Sequence, residues 1–127
     1  MECLSGMDSS SLASYKSLLV ALDAHSHGTN VAGISLGAAP GANILALDAF
    51  DGYTAWDSDI IDAINWSISN RDVYNIAAIN KSLGAGRYFS ECGTDVFATP
   101  ISAAKATGIL VAVASGNDGC KDSMASP

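Results

Sequence analysis

Thr99-Pro-Ile-Ser-Ala-Ala-Lys-Ala-Thr-Gly-Ile-Leu-Val-Ala-Val-Ala-Ser-Gly-Asn117 is the stretch that decides the fold class. Thr99 reads as a helix N-cap and Pro100 as the first helical residue, where a missing N–H is harmless. The helix runs to about Thr107. Gly108 ends it, because glycine readily adopts the left-handed backbone that closes a helix. Residues 109–114 are then apolar without alternation, the mark of a strand covered on both faces. The tail from Ser115 onward is rich in turn residues.

Outward from this unit the same rhythm recurs. Residues 76–83 read as a strand. Residues 57–70 read as a helix capped by Asp57 or Ser58, with Ile60, Ile61, Ile64 and Ile68 facing inward at helical spacing. Residues 43–49 read as a buried strand and residues 27–36 as a helix of small residues stopped at Gly37. Residues 52–56 and 84–86 read as loop and turn. In the first 22 residues, Leu12, Tyr15, Leu18, Leu19 and Leu22 share one face at helical spacing, so a helix capped within residues 9–11 is expected there. Alternating helices and apolar strands define an α/β fold, a three-layer sandwich with a short parallel sheet. Such sheets bind ligands at the carboxyl ends of their strands, here residues 48–51, 82–86 and 115–119.

The chain of 127 residues fits one domain. Six basic residues against thirteen acidic ones give a net charge of -7. That balance argues against nucleic acid, whose phosphates need basic patches, and against anionic membrane surfaces. No apolar run is long enough to span a bilayer, and the opening residues lack the basic and apolar regions of a signal peptide. Cys3, Cys92 and Cys120 match neither a zinc-finger spacing nor a disulfide framework. A Cys92–Cys120 bridge is conceivable in an oxidising compartment. The compartment is otherwise open.

His27 is the first candidate for chemistry. It stands at the start of an expected helix, and an imidazole, titrating near neutrality, serves there as a general base. Asp23, His25 and His27 place one carboxylate and two imidazoles within five residues. Two histidines and a carboxylate form a common zinc ligand set that leaves a position for water, which the metal acidifies. The nitrogen ligands favour zinc among the metals. The alternative is that Asp23 and His25 are plain loop residues. Cys92 or Cys120 near a histidine would make a thiolate nucleophile. The acidic run Asp48, Asp51, Asp57, Asp59 and Asp62 is explained by carboxylates favouring a helix N-terminus, and no glycine-spaced calcium loop accompanies it. Gly84-Ala-Gly86 lacks the third glycine of a dinucleotide fingerprint, since Phe89 stands there.

His27-Gly-Thr-Asn-Val-Ala-Gly33 resembles the histidine box of the subtilisin-like serine proteases, the subtilases. Gly37-Ala-Ala-Pro-Gly-Ala-Asn-Ile44 looks like the family's strand entry. Asn80-Lys-Ser-Leu-Gly84 resembles its substrate-binding strand, and Ala114-Ser-Gly-Asn117 resembles its oxyanion asparagine motif. Four motifs in family order make the resemblance specific over residues 23–127, with residues 1–22 unassigned. It implies a partial subtilisin-like fold, His27 as the catalytic histidine, Ser82, Leu83 and Gly84 as the strand that pairs with substrate, and Asn117 as oxyanion donor. Family members are often secreted, and related proteases carry a structural cysteine near Cys92.

The departures from the family bear on function. The family's aspartate lies on an earlier strand in an Asp-Thr/Ser-Gly box, and nothing before Asp23 matches it. The nucleophile box lies well downstream of the asparagine, whereas Pro127 is ten residues after Asn117. Ser123-Met-Ala-Ser-Pro127 resembles half of that box, but its position fits better the Ser-Ser-Pro segment some subtilases carry after the asparagine. The expectation is a residual peptidase-like hydrolase on a truncated scaffold. It lacks a complete Ser-His-Asp triad, and a zinc ion at Asp23, His25 and His27 would supply the missing nucleophile. The alternative is an inactive fragment or a peptide-binding scaffold. Exposed strand edges lead to an expected homodimer, with peptide as the other partner.

Overall fold

The computed structural model describes the backbone of residues 17–22 and residues 27–90, 93–119, 121, 123 and 125. The chain runs β1 (Ser17–Leu22), α1 (His27–Ala38), β2 (Asn43–Asp48), β3 (Phe50–Asp51), β4 (Thr54–Ala55), α2 (Asp57–Ser69), α3 (Arg71–Tyr74), β5 (Ile76–Lys81), α4 (Ala98–Ala106) and β6 (Leu110–Val113). Among the described residues, four strands form a parallel sheet in the order β2-β1-β5-β6, and β3 and β4 form a small antiparallel hairpin.

β1 corrects the sequence reading. Over Ser17–Leu22 the expected helix is a strand, paired on one side with β2 (Val20 beside Ala46) and on the other with β5 (Val20 beside Asn80). The physical reason is that Leu18-Leu-Val-Ala-Leu22 is a continuous apolar run. Such a run fits a buried strand as well as a helix, and the leucine spacing cannot separate them. A central strand of a parallel sheet is where such runs belong.

Strand order fixes the layers. The step from β1 to β2 moves one way across the sheet, while the steps to β5 and on to β6 move the other way. Right-handed crossovers then place α1 on one face and α2 and α4 on the opposite face. In agreement, α2 and α4 pack on each other and α1 packs on β1. The direction reverses between β1 and β5, so the crevice for a ligand opens at the carboxyl ends of those two strands.

The core sits under α2 and α4. Ile60 and Ile64 of α2, Ile76 and Ile79 of β5, Phe97, Ala104 of α4 and Ile109 bury together, with Ile61 and Ile68 packed against them. Each fully buried isoleucine contributes about 1.5–3 kcal/mol. Ser67 is the polar exception. It is fully buried, and its Oγ donates to the Ala63 carbonyl at 2.6 Å, which satisfies it within the helix.

Two caps differ from expectation. α2 is preceded by Trp56 in an extended conformation, so Asp57 and Ser58 lie inside the first turn rather than capping it. α4 begins at Ala98 after Phe97, and Thr99 caps nothing. The Asp95 carboxylate accepts from the Phe97 N–H at 2.9 Å and so starts the turn. Among the described residues no helix is long and apolar enough to cross a membrane.

Candidate active site

His27 is the first residue of α1 and is exposed. It follows β1 after a short connection, which puts it at the carboxyl end of the central strand. On the neighbouring strand, Lys81 of β5 lies beside Val113 of β6, and the Ala114 N–H donates to the Lys81 carbonyl at 3.1 Å. Residues 82–84 and 115–117 therefore leave the sheet side by side, at the same end as His27. Asn80 Nδ2 donates to Ser82 Oγ at 2.8 Å, which fixes the serine at the strand's exit. Ser82 and Leu83 are half-buried, whereas Gly84 and Asn117 are exposed.

The turn that carries Asn117 depends on Gly116. Its φ of +93° is one that side chains rarely adopt, and a Cβ there would stand 3.2 Å from the Ala125 Cβ. The Ala125 N–H donates to the Ser115 carbonyl at 3.0 Å, so the tail returns against the asparagine turn. Gly116→Ala is expected to lower unfolding free energy by about 1–2 kcal/mol, from backbone strain and the lost closure. Chemical denaturation would show this; an unchanged midpoint would mean that the turn shifts freely.

Ser123 belongs to this returning tail. Its Oγ accepts from Arg87 Nε at 2.8 Å, and the Arg87 guanidinium lies 5.0 Å from the Phe89 ring centroid. Arg87 and Ser123 line a cavity of about 150 Å³ together with Gly86 and Gly119. This local use of Ser123 fits a segment that closes the asparagine turn.

Asp23 and His25 lie outside the described residues, as do Cys3, Cys92 and Cys120. Among the described residues no group of three histidine, cysteine or acidic side chains is placed to hold a metal ion.

A larger cavity of about 400 Å³ lies beside the strand exit, and the sequence reading passed over it. One wall is the chain from Leu83 to Gly86 and the other is the β3–β4 hairpin with Tyr53 at its tip. Lys81 lines it although only 3% exposed. Its Nζ donates to the Leu83 carbonyl at 3.3 Å and lies 4.4 Å from the Phe97 ring centroid. Burial pulls the Lys81 pKa down from 10.5 to about 8, and the charges of Asp95 and Asp57 only partly oppose this. One signal was present in the sequence: a single lysine in an otherwise uncharged strand.

One end of the parallel sheet thus carries a histidine at a helix start, the exit of β5 and an asparagine turn after β6. The subtilase family model matches residues 15–127, and the chain belongs to that family. The match takes in β1 and so begins earlier than the motifs suggested. The chain is 37% identical over 114 residues to subtilisin E of Bacillus subtilis, covering 80% of this chain and 27% of that one. It is 36% identical over 103 residues to an alkaline proteinase of Hapsidospora chrysogena, covering 76% and 24% respectively. Alkaline protease 1 of Aspergillus clavatus is 35% identical over 113 residues, covering 84% and 27%. The chain thus spans about a quarter of the length of these relatives.

Proposed function

We propose that the chain is a peptidase-type hydrolase module that holds an extended peptide along residues 82–84 and presents its carbonyl between His27 and Asn117. The observation that carries this reading is the switch in strand direction between β1 and β5, with both motif residues at that one sheet end. An extended peptide adds to a free strand edge through main-chain hydrogen bonds. His27 accepts a proton from water as its oxygen bonds to the peptide carbonyl carbon, and gives that proton to the amine as the C–N bond breaks. The Asn117 side-chain amide donates to the oxygen that becomes negative in the tetrahedral intermediate.

Asp23 is the next residue after Leu22, the last of β1. The sequence reading found no strand that could present the family's aspartate, but β1 is such a strand. Asp23 is proposed as the carboxylate that orients His27, on the ground that it directly follows β1 in the sequence and precedes His27 by four residues. The zinc set Asp23, His25 and His27 is the competing use of the same residues. Either use applies to the sheet end where the peptide would lie; among the described residues β6 is an edge strand, the basis for proposing a homodimer.

A fluorogenic peptide assay on protein free of host proteases separates the cases. Hydrolysis that survives excess chelator and disappears in Asp23→Asn supports the orienting carboxylate. Hydrolysis lost with chelator and restored by zinc supports the metal. Peptide binding without hydrolysis leaves a peptide-binding protein. Light scattering on the same preparation at the mass of one 12.9 kDa chain would remove the dimer.

A further inference from the structure

We propose that the cavity lined by Lys81 is a subsite for an acidic side chain of the bound peptide, and that the Lys81 ammonium selects it. The inference rests on the peptide-binding reading above and names part of the substrate class.

The argument starts from the ammonium's unmet demand. A lysine ammonium has three donors. Among the described residues, Lys81 meets one carbonyl, at the long distance of 3.3 Å, and one aromatic face. A buried charge so sparsely compensated is costly, and a partner that enters from solvent relieves the cost. The cavity supplies the entrance. Its volume of about 400 Å³ exceeds any single side chain. Its position between residues 83–86 and the hairpin places it directly beside a peptide paired along residues 82–84.

The charges around Lys81 decide which side chain fits. Asp57 at the start of α2 and Asp95 before α4 line the same cavity, as do the phenols of Tyr53 and Tyr88. The two carboxylates disfavour an anion there. They act on Lys81 through space, however, and their combined effect is weaker than that of burial. Asp57 is exposed and Asp95 half-exposed, so water and salt screen them. A carboxylate touching the ammonium gains a charge-assisted hydrogen bond, about twice as strong as a neutral one. Direct contact therefore outweighs the two screened repulsions. An apolar side chain would leave the ammonium's donors unmet.

The test measures binding of acetylated, amidated alanine hexapeptides in which one position carries Glu, Gln or Leu. At about pH 6, below the Lys81 pKa, the best Glu peptide is expected to bind about tenfold more tightly than its Gln and Leu counterparts. At about pH 10 the preference is expected to vanish, because the amine is then neutral. It should also vanish in Lys81→Met at both pH values. Equal affinities in the native protein, or a Glu preference that survives Lys81→Met, would overturn the proposal. A set in which no peptide binds would remove the peptide-binding reading instead. Reductive methylation of Lys81 then decides the subsite by itself. Slower methylation in glutarate than in glutaramide upholds the acid subsite, and equal rates overturn it.

Discussion

Lys81→Met is expected to raise the stability of the protein at neutral pH by about 2–3 kcal/mol. The native state holds Lys81 almost wholly buried, with its pKa at about 8 instead of 10.5. Burial is the first cause, with Asp95 and Asp57 pulling the other way. A lysine whose pKa falls on folding costs stability while it remains protonated. Between about pH 8 and about pH 10.5 the unfolded chain holds more protons than the native one, so native stability rises with pH across that window. The full rise, at 1.36 kcal/mol for each pKa unit, is about 3 kcal/mol. Methionine fills similar space and packs well against an aromatic ring such as Phe97. It gives up the hydrogen bond to the Leu83 carbonyl, which returns about 1 kcal/mol. Urea denaturation of both proteins from neutral to alkaline pH isolates the effect, because every other titrating group cancels in the difference. The difference should shrink as the pH passes 8 and approaches 10.5. A variant less stable than the native protein at neutral pH would show that the ammonium is better solvated than its burial implies.

Lys81 also shows where sequence reading stops. Most elements were legible because two independent signals agreed. For α4 and β6, a glycine stop separated a small-residue helix from an apolar run, and Gly108 does adopt a positive φ of 86°. For α2, four isoleucines at helical spacing sit in or against the core. β1 was misread because its apolar run satisfies both periodicities. Only its partners, β2 and β5, choose the strand. The β3–β4 hairpin falls partly in the stretch expected as a loop; its two-residue turn is Gly52-Tyr53, with glycine first and at positive φ. Strands of two residues each are too short to show alternation. The cap at Thr99 failed because the Asp95 carboxylate starts the turn two residues before Phe97.

The candidate site divides in the same way. His27, residues 82–84 and Asn117 are singled out by contiguous motifs, and the sheet brings their segments to one end. The cavity was not found. Its walls come from residues 53–57, 81–86 and 95–97, which are distant in sequence and meet only after folding. The one local signal at Lys81, a lone charge in an uncharged strand, does not tell burial from exposure. A strand residue with a long apolar stem and a charged tip usually reaches solvent, and here the Phe97 ring lies against the ammonium.

Asn117→Ala is expected to lower kcat by about 10²–10³-fold, with KM changed little, in the peptide hydrolysis proposed above. The asymmetry follows from what the side chain would do. Its amide faces little charge while the substrate carbonyl is neutral and a full oxyanion in the tetrahedral intermediate. The interaction is therefore stronger in the transition state than in the bound substrate, and its loss appears in kcat. The loss corresponds to about 2.7–4 kcal/mol of transition-state stabilisation. Asn117 is exposed, on a turn formed by Gly116 and closed by the Ala125–Ser115 hydrogen bond, so truncating it removes no packing from the core. Folding stability should then change by under about 0.5 kcal/mol, as for other surface substitutions. Peptide affinity measured without turnover should also stay the same, which separates this role from substrate binding. Single-turnover hydrolysis with the native protein, Asn117→Ala and Asn117→Asp makes the comparison. Asp keeps the shape but places an acceptor where a donor is needed, so it should be at least as impaired as Ala. A kcat within about twofold of native in Asn117→Ala would remove the asparagine from the chemistry. The carbonyl oxygen would then need other donors, such as the backbone N–H groups of the turn itself.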